Sequence, residues 1–263
     1  MIRSLLLALC LPQGPATAAR HDGAGKAYVA LRPFKARLSG AGPDGLITNE
    51  FAYWNPKSRA AVRSPDWELT SGSLFARQAA AWTGVPDDRA PDVNSSSGTN
   101  SAVFRMTTIR NDFHDVAVEL KLRNDGLTKT ASTPAVAWDG VHIFLRYQNQ
   151  RHLYYASINR RDGKVVIKKK VPGGPSNGGT YFNLPPELPY PVPYHDWQNV
   201  RATVRDNPDG SVAIALYADG RLLVSALDDG SVGGPAIRHA GKVGLRGDNA
   251  DFRFTDFSVT PLP

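Results

Sequence analysis

Cysteine is all but missing from this chain. Cys10 is the one thiol in 263 residues, so no internal disulfide can form and a four-cysteine zinc site is excluded. Glutamate is nearly as scarce, with Glu50, Glu68, Glu119 and Glu187 the full set. No predicted strand carries two carboxylates at alternating positions, which disfavours the paired-acid arrangement of ordinary glycoside hydrolysis. Apolar runs stay well short of the ~18 residues a membrane helix needs. Helical periodicity is absent beyond a hint at Arg77–Trp82. The six histidines never fall at metal-motif spacing, and phosphate-cradling glycine loops, a nucleophile elbow and nucleic-acid motifs are all lacking. Neither a nucleic-acid nor a membrane partner is therefore expected.

The net charge of +7 points to a polyanion less strongly than its size suggests. Arg3 and the stretch before Asp44 carry five of those charges, leaving +2 for residues 44–263. Any argument for an anionic ligand must rest on where charges sit rather than on their sum. The chain begins Met1-Ile-Arg, runs through the short apolar Ser4–Leu11 and reaches the small-x-small Ala16-Thr-Ala18. That is the pattern of a secretory signal peptide over residues 1–18, so a secreted, extracellular protein is expected. Residues 19–45 are rich in Ala, Gly and Arg without period and read as a linker or loosely attached N-terminal segment.

From Leu46 to Pro263 the pattern is period two. Trp67–Phe75 reads as a strand pair around Ser71-Gly72, and Ala102–Thr108 and Val116–Arg123 read as clean strands. Asp-Gly at 162–163, 209–210 and 219–220 marks hairpin turns, because glycine supplies a positive φ. Residues 84–101 and 171–195 read as long polar or proline-rich loops. The fold class is all-β: one two-sheet antiparallel β-sandwich, a jelly roll with long rim loops and a polar concave face.

The stretch Gly140–Lys170 is the most informative. Its three alternating runs form an antiparallel meander, with Val141, Ile143, Leu145, Tyr154, Ala156, Ile158, Val165 and Ile167 on one side. The other side carries His142, Arg146, Tyr155, Ser157, Asn159, Lys168 and Lys170, the group types that bind or process an anionic sugar. His142 or Tyr155 can act as a base toward a sugar C5 proton, Arg146 and Asn159 can hold a carboxylate, and a tyrosine can protonate a departing oxygen. Lys168, Lys170, Arg201 and Arg205 would add positive charge if they share that face. Trp82 and Trp138 border loops and suit stacking on sugar rings, and Tyr181 within the 171–195 loop could overhang a groove and do the same. Trp54, Trp67 and Trp197 read as core. A solvated sheet face needs only to be polar, so a purely structural reading of the same residues stands beside this one.

The succession Phe144-Leu-Arg-Tyr-Gln, Leu153-Tyr-Tyr-Ala-Ser-Ile, Trp197-Gln-Asn-Val-Arg-Ala-Thr-Val, Leu216-Tyr-Ala-Asp-Gly-Arg-Leu-Leu-Val and Gly241-Lys-Val-Gly-Leu-Arg resembles the concanavalin A-like, laminin-G-like jelly-roll superfamily over about residues 102–260. That resemblance implies a carbohydrate partner, and it spans lectins, glucanases and polysaccharide lyases without choosing among them. The paired glutamates of laminarinase-type members and the signature strands of alginate lyases are missing as written. The resemblance also implies a structural Ca²⁺ tying the first and last strands, for which Glu50 and Asp256 are the candidate ligands. The expectation is a secreted monomer acting on an acidic, uronate-containing polysaccharide, as a β-eliminating lyase. The alternatives are a non-catalytic carbohydrate-binding or adhesion module, or a glycoside hydrolase of unusual site.

Overall fold

The computed structural model describes residues 32–40, 45–87 and 102–263. The expected signal peptide, most of the expected linker and most of the 84–101 loop lie outside the described residues.

The described strands form two antiparallel sheets, as the alternation predicts. One runs β11-β10-β9-β8-β15-β6-β3, built from β3 (Trp67–Ser71), β6 (Val103–Thr108), β8 (Gly140–Asn149), β9 (His152–Ile158), β10 (Lys164–Ser176), β11 (Gly179–Pro189) and β15 (Lys242–Asp248). The other runs β14-β13-β12-β7-β16-β5-β4-β2, with β1 also paired to β16. Its strands are β1 (Phe34–Lys35), β2 (Leu46–Asn49), β4 (Ser73–Arg77), β5 (Ala80–Trp82), β7 (Val116–Leu127), β12 (Gln198–Asp206), β13 (Val212–Ala218), β14 (Arg221–Asp228) and β16 (Ala250–Pro261). Helix among the described residues is the single turn α1 (Phe51–Trp54).

The core lies between the sheets. Trp67 packs edge-on against Phe257 at 4.8 Å between ring centroids, and Phe104 against Phe252 at 5.8 Å, joining the two layers. Trp67 is buried as expected, whereas Trp54 and Trp197 are each more than 40% exposed and do not belong to the core. The three Asp-Gly turns each join consecutive strands, β9–β10, β12–β13 and β13–β14.

Three expectations are corrected. The Trp67–Phe75 pair is not a hairpin: β3 pairs with β6 in one sheet and β4 with β2 in the other, so the Ser71-Gly72 turn crosses between layers. The compact unit begins at Pro33 rather than Leu46. Phe34 sits opposite Val259 and is buried, and Arg37 pairs with Asp66 at 2.9 Å, so the end of the expected linker is stitched into the sandwich. Residues 171–189 are strand rather than loop, because β10 and β11 extend through them around Asn177-Gly178, both at positive φ. Asn-Gly is the strongest short hairpin signal. Pro185, Pro186 and Pro189 are tolerated because β11 is an edge strand with no ladder to complete on its outer side, and Pro172 and Pro175 because β10 there has run past its last β9 partner at Lys170.

Candidate functional site

The outer face of the seven-stranded sheet holds a groove of about 370 Å³. Its floor is set by register. His142 stands opposite Ser157 on β9 and Arg246 on β15, and Tyr155 stands between Phe144 and Lys168. Strand alternation carries these side chains outward while Ile143, Tyr154, Ala156 and Leu245 turn into the core. Trp138, 52% exposed, and the hairpin tip at Ser176 and Asn177 complete the lining.

Two connected clusters occupy the groove. In the first, Asp248 accepts from the Arg246 guanidinium at 2.8 Å, and its other oxygen lies 3.2 Å from His142 Nε2. His142 Nδ1 is 2.8 Å from the Ser157 hydroxyl. A carboxylate can only accept, so the proton belongs on Nε2 and Nδ1 accepts from Ser157. Burial, reinforced by Arg246 and Arg160, lowers the His142 pKa against the opposing pull of Asp248, so the ring is neutral. Burial also opposes ionisation of Asp248, but Arg246 and His142 outweigh it and hold the carboxyl well below the usual carboxylate range.

In the second cluster the Tyr155 and Tyr181 hydroxyls are 3.1 Å apart, Arg246 donates to the Tyr181 oxygen at 3.3 Å, and Lys170 Nζ lies 4.5 Å from the Tyr181 ring centre. The two phenols are driven apart. Burial raises Tyr155, and the neighbouring Tyr181 adds to the effect. Burial acts on Tyr181 too, but Arg246, the bond from Tyr155 and Lys170 outweigh it, so its pKa falls below the ordinary tyrosine value. Tyr155 is thereby the proton donor of the pair and Tyr181 the acceptor. Burial likewise lowers Lys168 and Lys170.

Of the residues singled out in the sequence, His142, Tyr155, Lys168, Lys170, Trp138 and Tyr181 do meet on this face. Arg146 does not. Its backbone is left-handed, at φ 47°, and the β8–β9 register shifts between Leu145 and Asn149, so the side chain turns inward. It is fully buried and donates to Asp206 at 2.6 Å, to Asp115 at 2.8 Å and to the Ile237 carbonyl at 2.8 Å, so it is locked into an ion-pair network and cannot hold a sugar carboxylate. Asn159, also at positive φ, is buried past the end of β9 and does not line the groove. Arg201 and Arg205 belong to β12 of the opposite sheet, where Arg201 meets Glu119 at 3.4 Å, and they add no charge to the groove.

The two residues expected to bind calcium stand in different surroundings. Glu50 is buried at the start of α1, where it accepts from the Gly72 amide at 3.0 Å. Asp256 is exposed on β16, facing Lys121 at 3.7 Å. Among the described residues, the one group of metal-ligating types that converges is His114, Asp115 and Asp206. Both of those carboxylates already bind the Arg146 guanidinium, and Arg238 adds a second cation to Asp206, so the set does not suit a divalent ion.

Sequence reasoning passed over Arg246 and Asp248, which organise both clusters. The alternation of Lys242–Asp248 was visible, but nothing local tied that strand to β8 rather than to another neighbour.

No family model matches the sequence, and no curated protein matches it. Solved structures do resemble the fold. The potassium-bound carbohydrate recognition domain of Emp46p aligns with a TM-score of 0.50 at 8% identity, over 84% of this chain and 99% of that one. A glycoside hydrolase family protein from Mycobacterium thermorestibile gives a TM-score of 0.47 at 12% identity, over 86% and 99%. A β-1,3-1,4-glucanase (lichenase) from a mouse hindgut metagenome gives 0.45 at 14% identity, over 77% and 95%. The fold is the concanavalin A-like jelly roll. Identities this low speak for the fold alone.

Proposed function

We propose that the groove on the seven-stranded sheet binds a carbohydrate carrying a uronate, and that the protein is a β-eliminating lyase for such a glycan. The observation that carries this reading is the tyrosine pair beneath two cations: the Tyr155 and Tyr181 hydroxyls 3.1 Å apart, with Arg246 and Lys170 alongside to pull the Tyr181 pKa below the ordinary tyrosine value while burial raises that of Tyr155. β-Elimination from a uronate needs a base at C5, a cation on the carboxylate as it becomes enolate-like, and a proton for the departing O4 oxygen. Tyr181 suits the base, Arg246 the neutralising cation and Tyr155 the acid that supplies the proton. Because the two phenols lie side by side, proton removal and delivery fall on the same face of the sugar. His142 is a poorer base than its residue type suggests, since burial lowers its pKa and Nδ1 is engaged by Ser157.

The similarity to a carbohydrate recognition domain supports a sugar ligand equally well for a non-catalytic module, and one experiment separates the readings. The protein is incubated with polyglucuronate, alginate, pectate and hyaluronan while absorbance at the unsaturated-uronate band is followed. Affinity electrophoresis runs on the same polymers. Product formation supports the lyase, and retardation without product supports the module. The absence of both product and retardation would refute a uronate ligand altogether.

Export belongs to the same proposal, with cleavage after about Ala18. N-terminal mass spectrometry of extracellular protein tests it, and an intact Met1 end would refute it. Among the described residues no helix is long and apolar enough to cross a membrane.

A further inference from the structure

Arg105 is the unexplained charge on the groove face. It sits at the centre of β6, between the core residues Phe104 and Met106, so alternation turns it outward with Arg246, its cross-strand partner. Two like charges directly opposed on neighbouring strands destabilise a sheet. Arg246 is compensated by Asp248 at 2.8 Å. Arg105 makes no hydrogen bond or ion pair with any described residue, although it is half-buried. Its surroundings offer no substitute. The opposite neighbour on β3 is Ser71, and the nearest acid along that strand, Glu68, is held by Lys242 at 2.7 Å. Burial and the adjacent Arg246 work against its charge and outweigh the opposing pull of Tyr155, Tyr147 and Asp248, none of which bonds to it.

We propose that Arg105 is a ligand-binding residue, and that Arg105 and Arg246 together take one anionic substituent of the glycan, which serves as the counter-ion that the described residues do not supply. This rests on the reading of the groove as the site for an acidic saccharide. It goes further in assigning charge selection to β6, outside the tyrosine cluster. The planar guanidinium forks suit a carboxylate or a sulfate ester, and an anion that bridges Arg105 to the already paired Arg246 would offset the repulsion between the two.

The test measures affinity of the wild type, Arg105→Gln and Arg105→Lys for four tetrasaccharide-sized probes by titration calorimetry. The probes are oligomers of glucuronate and of mannuronate, a sulfated galactan oligomer and a neutral β-glucan oligomer. The wild type should prefer an acidic oligomer. Arg105→Gln should lose about ten- to a hundredfold of that affinity while leaving neutral binding unchanged, and Arg105→Lys should retain part of it. Preference for the uronates over the sulfated oligomer identifies the carboxylate as the recognised group, and the reverse identifies the sulfate ester. Thermal unfolding of the free protein supplies a readout that a structural role would move the other way. Removing an unmatched cation should leave the midpoint of Arg105→Gln equal or higher. If Arg105→Gln binds the acidic oligomer as the wild type does, the subsite is overturned and the groove reading stands. If its midpoint falls sharply, Arg105 is a structural residue and the subsite is likewise overturned. A wild type with no acidic preference overturns both.

Discussion

Two clusters of arginine, aspartate and histidine lie on opposite sides of the same sheet, and they do opposite things with the same chemistry. Between the sheets, Arg146 meets Asp115, Asp206 and two backbone carbonyls, and every direction of its guanidinium is used. On the outer face, Arg246 has Asp248 on one side and a tyrosine oxygen on the other, while Arg105 beside it forms no ion pair with any described residue. The first cluster is closed and joins β8 to the end of β12. The second is open and holds more positive charge than it neutralises. Residue type therefore says little about role, whereas the balance of partners says a great deal.

The contrast breaks first at Arg146. Arg146→Met leaves Asp115 and Asp206 without their shared cation, so unfolding by denaturant should show a loss of about 3 kcal/mol or more. A variant of near-wild-type stability would mean the inter-sheet network is not what holds these strands. Tyr181→Phe should do the reverse: turnover on a polyuronate drops about 10²–10⁴-fold while the denaturant midpoint barely moves. In the wild type the rate should rise with pH on a limb lying below the ordinary phenol value of 10, and that limb should vanish in the variant.

Acid titration separates the clusters next. His142 is held neutral by burial, so its folded pKa lies below 6.5, and the unfolded chain takes up a proton first as pH falls. Stability should begin to decline below about pH 6.5, and His142→Gln should reduce that early decline, leaving the part that belongs to His152, whose pKa burial also lowers. Burial raises Asp115, but its hydrogen bonds and the Arg146 charge outweigh it, so its folded pKa lies below 3.8. Its contribution is present above about pH 4 and is lost as pH falls further, a later step that Arg146→Met should blunt. Urea midpoints at half-unit pH intervals resolve the two windows. The smallest effect belongs to the far sheet. Arg201→Ala and Arg205→Ala should change stability by no more than about 0.5 kcal/mol and leave glycan affinity unaltered, because exposed pairs contribute little. A large loss of binding in either would move the ligand to the wrong face.

Much of the site was legible along the chain, and the exceptions share a cause. His142, Tyr155, Lys168 and Lys170 follow strict alternation from one hairpin to the next, and they appear where counting by two puts them. Arg146 satisfies the same count yet points the other way, because one left-handed residue and a shifted register invert the parity of everything around it. Tyr181 was assigned to a loop because proline and glycine crowd its segment, although the Asn177-Gly178 pair announced the turn that makes it a strand. Arg246, Asp248 and Arg105 were invisible as a group, since each lies on a strand whose neighbours are distant in sequence.

Alternation, hairpin turns and the distribution of apolar side chains are local properties, each readable within a few residues, and together they specify a two-sheet jelly roll. Which strand lies beside which, and which face each charge reaches, depend on pairings across more than a hundred residues and on single-residue bulges. Those are settled by how the two apolar faces close on one another, and so the groove and its unmatched arginine exist only once the sandwich has folded.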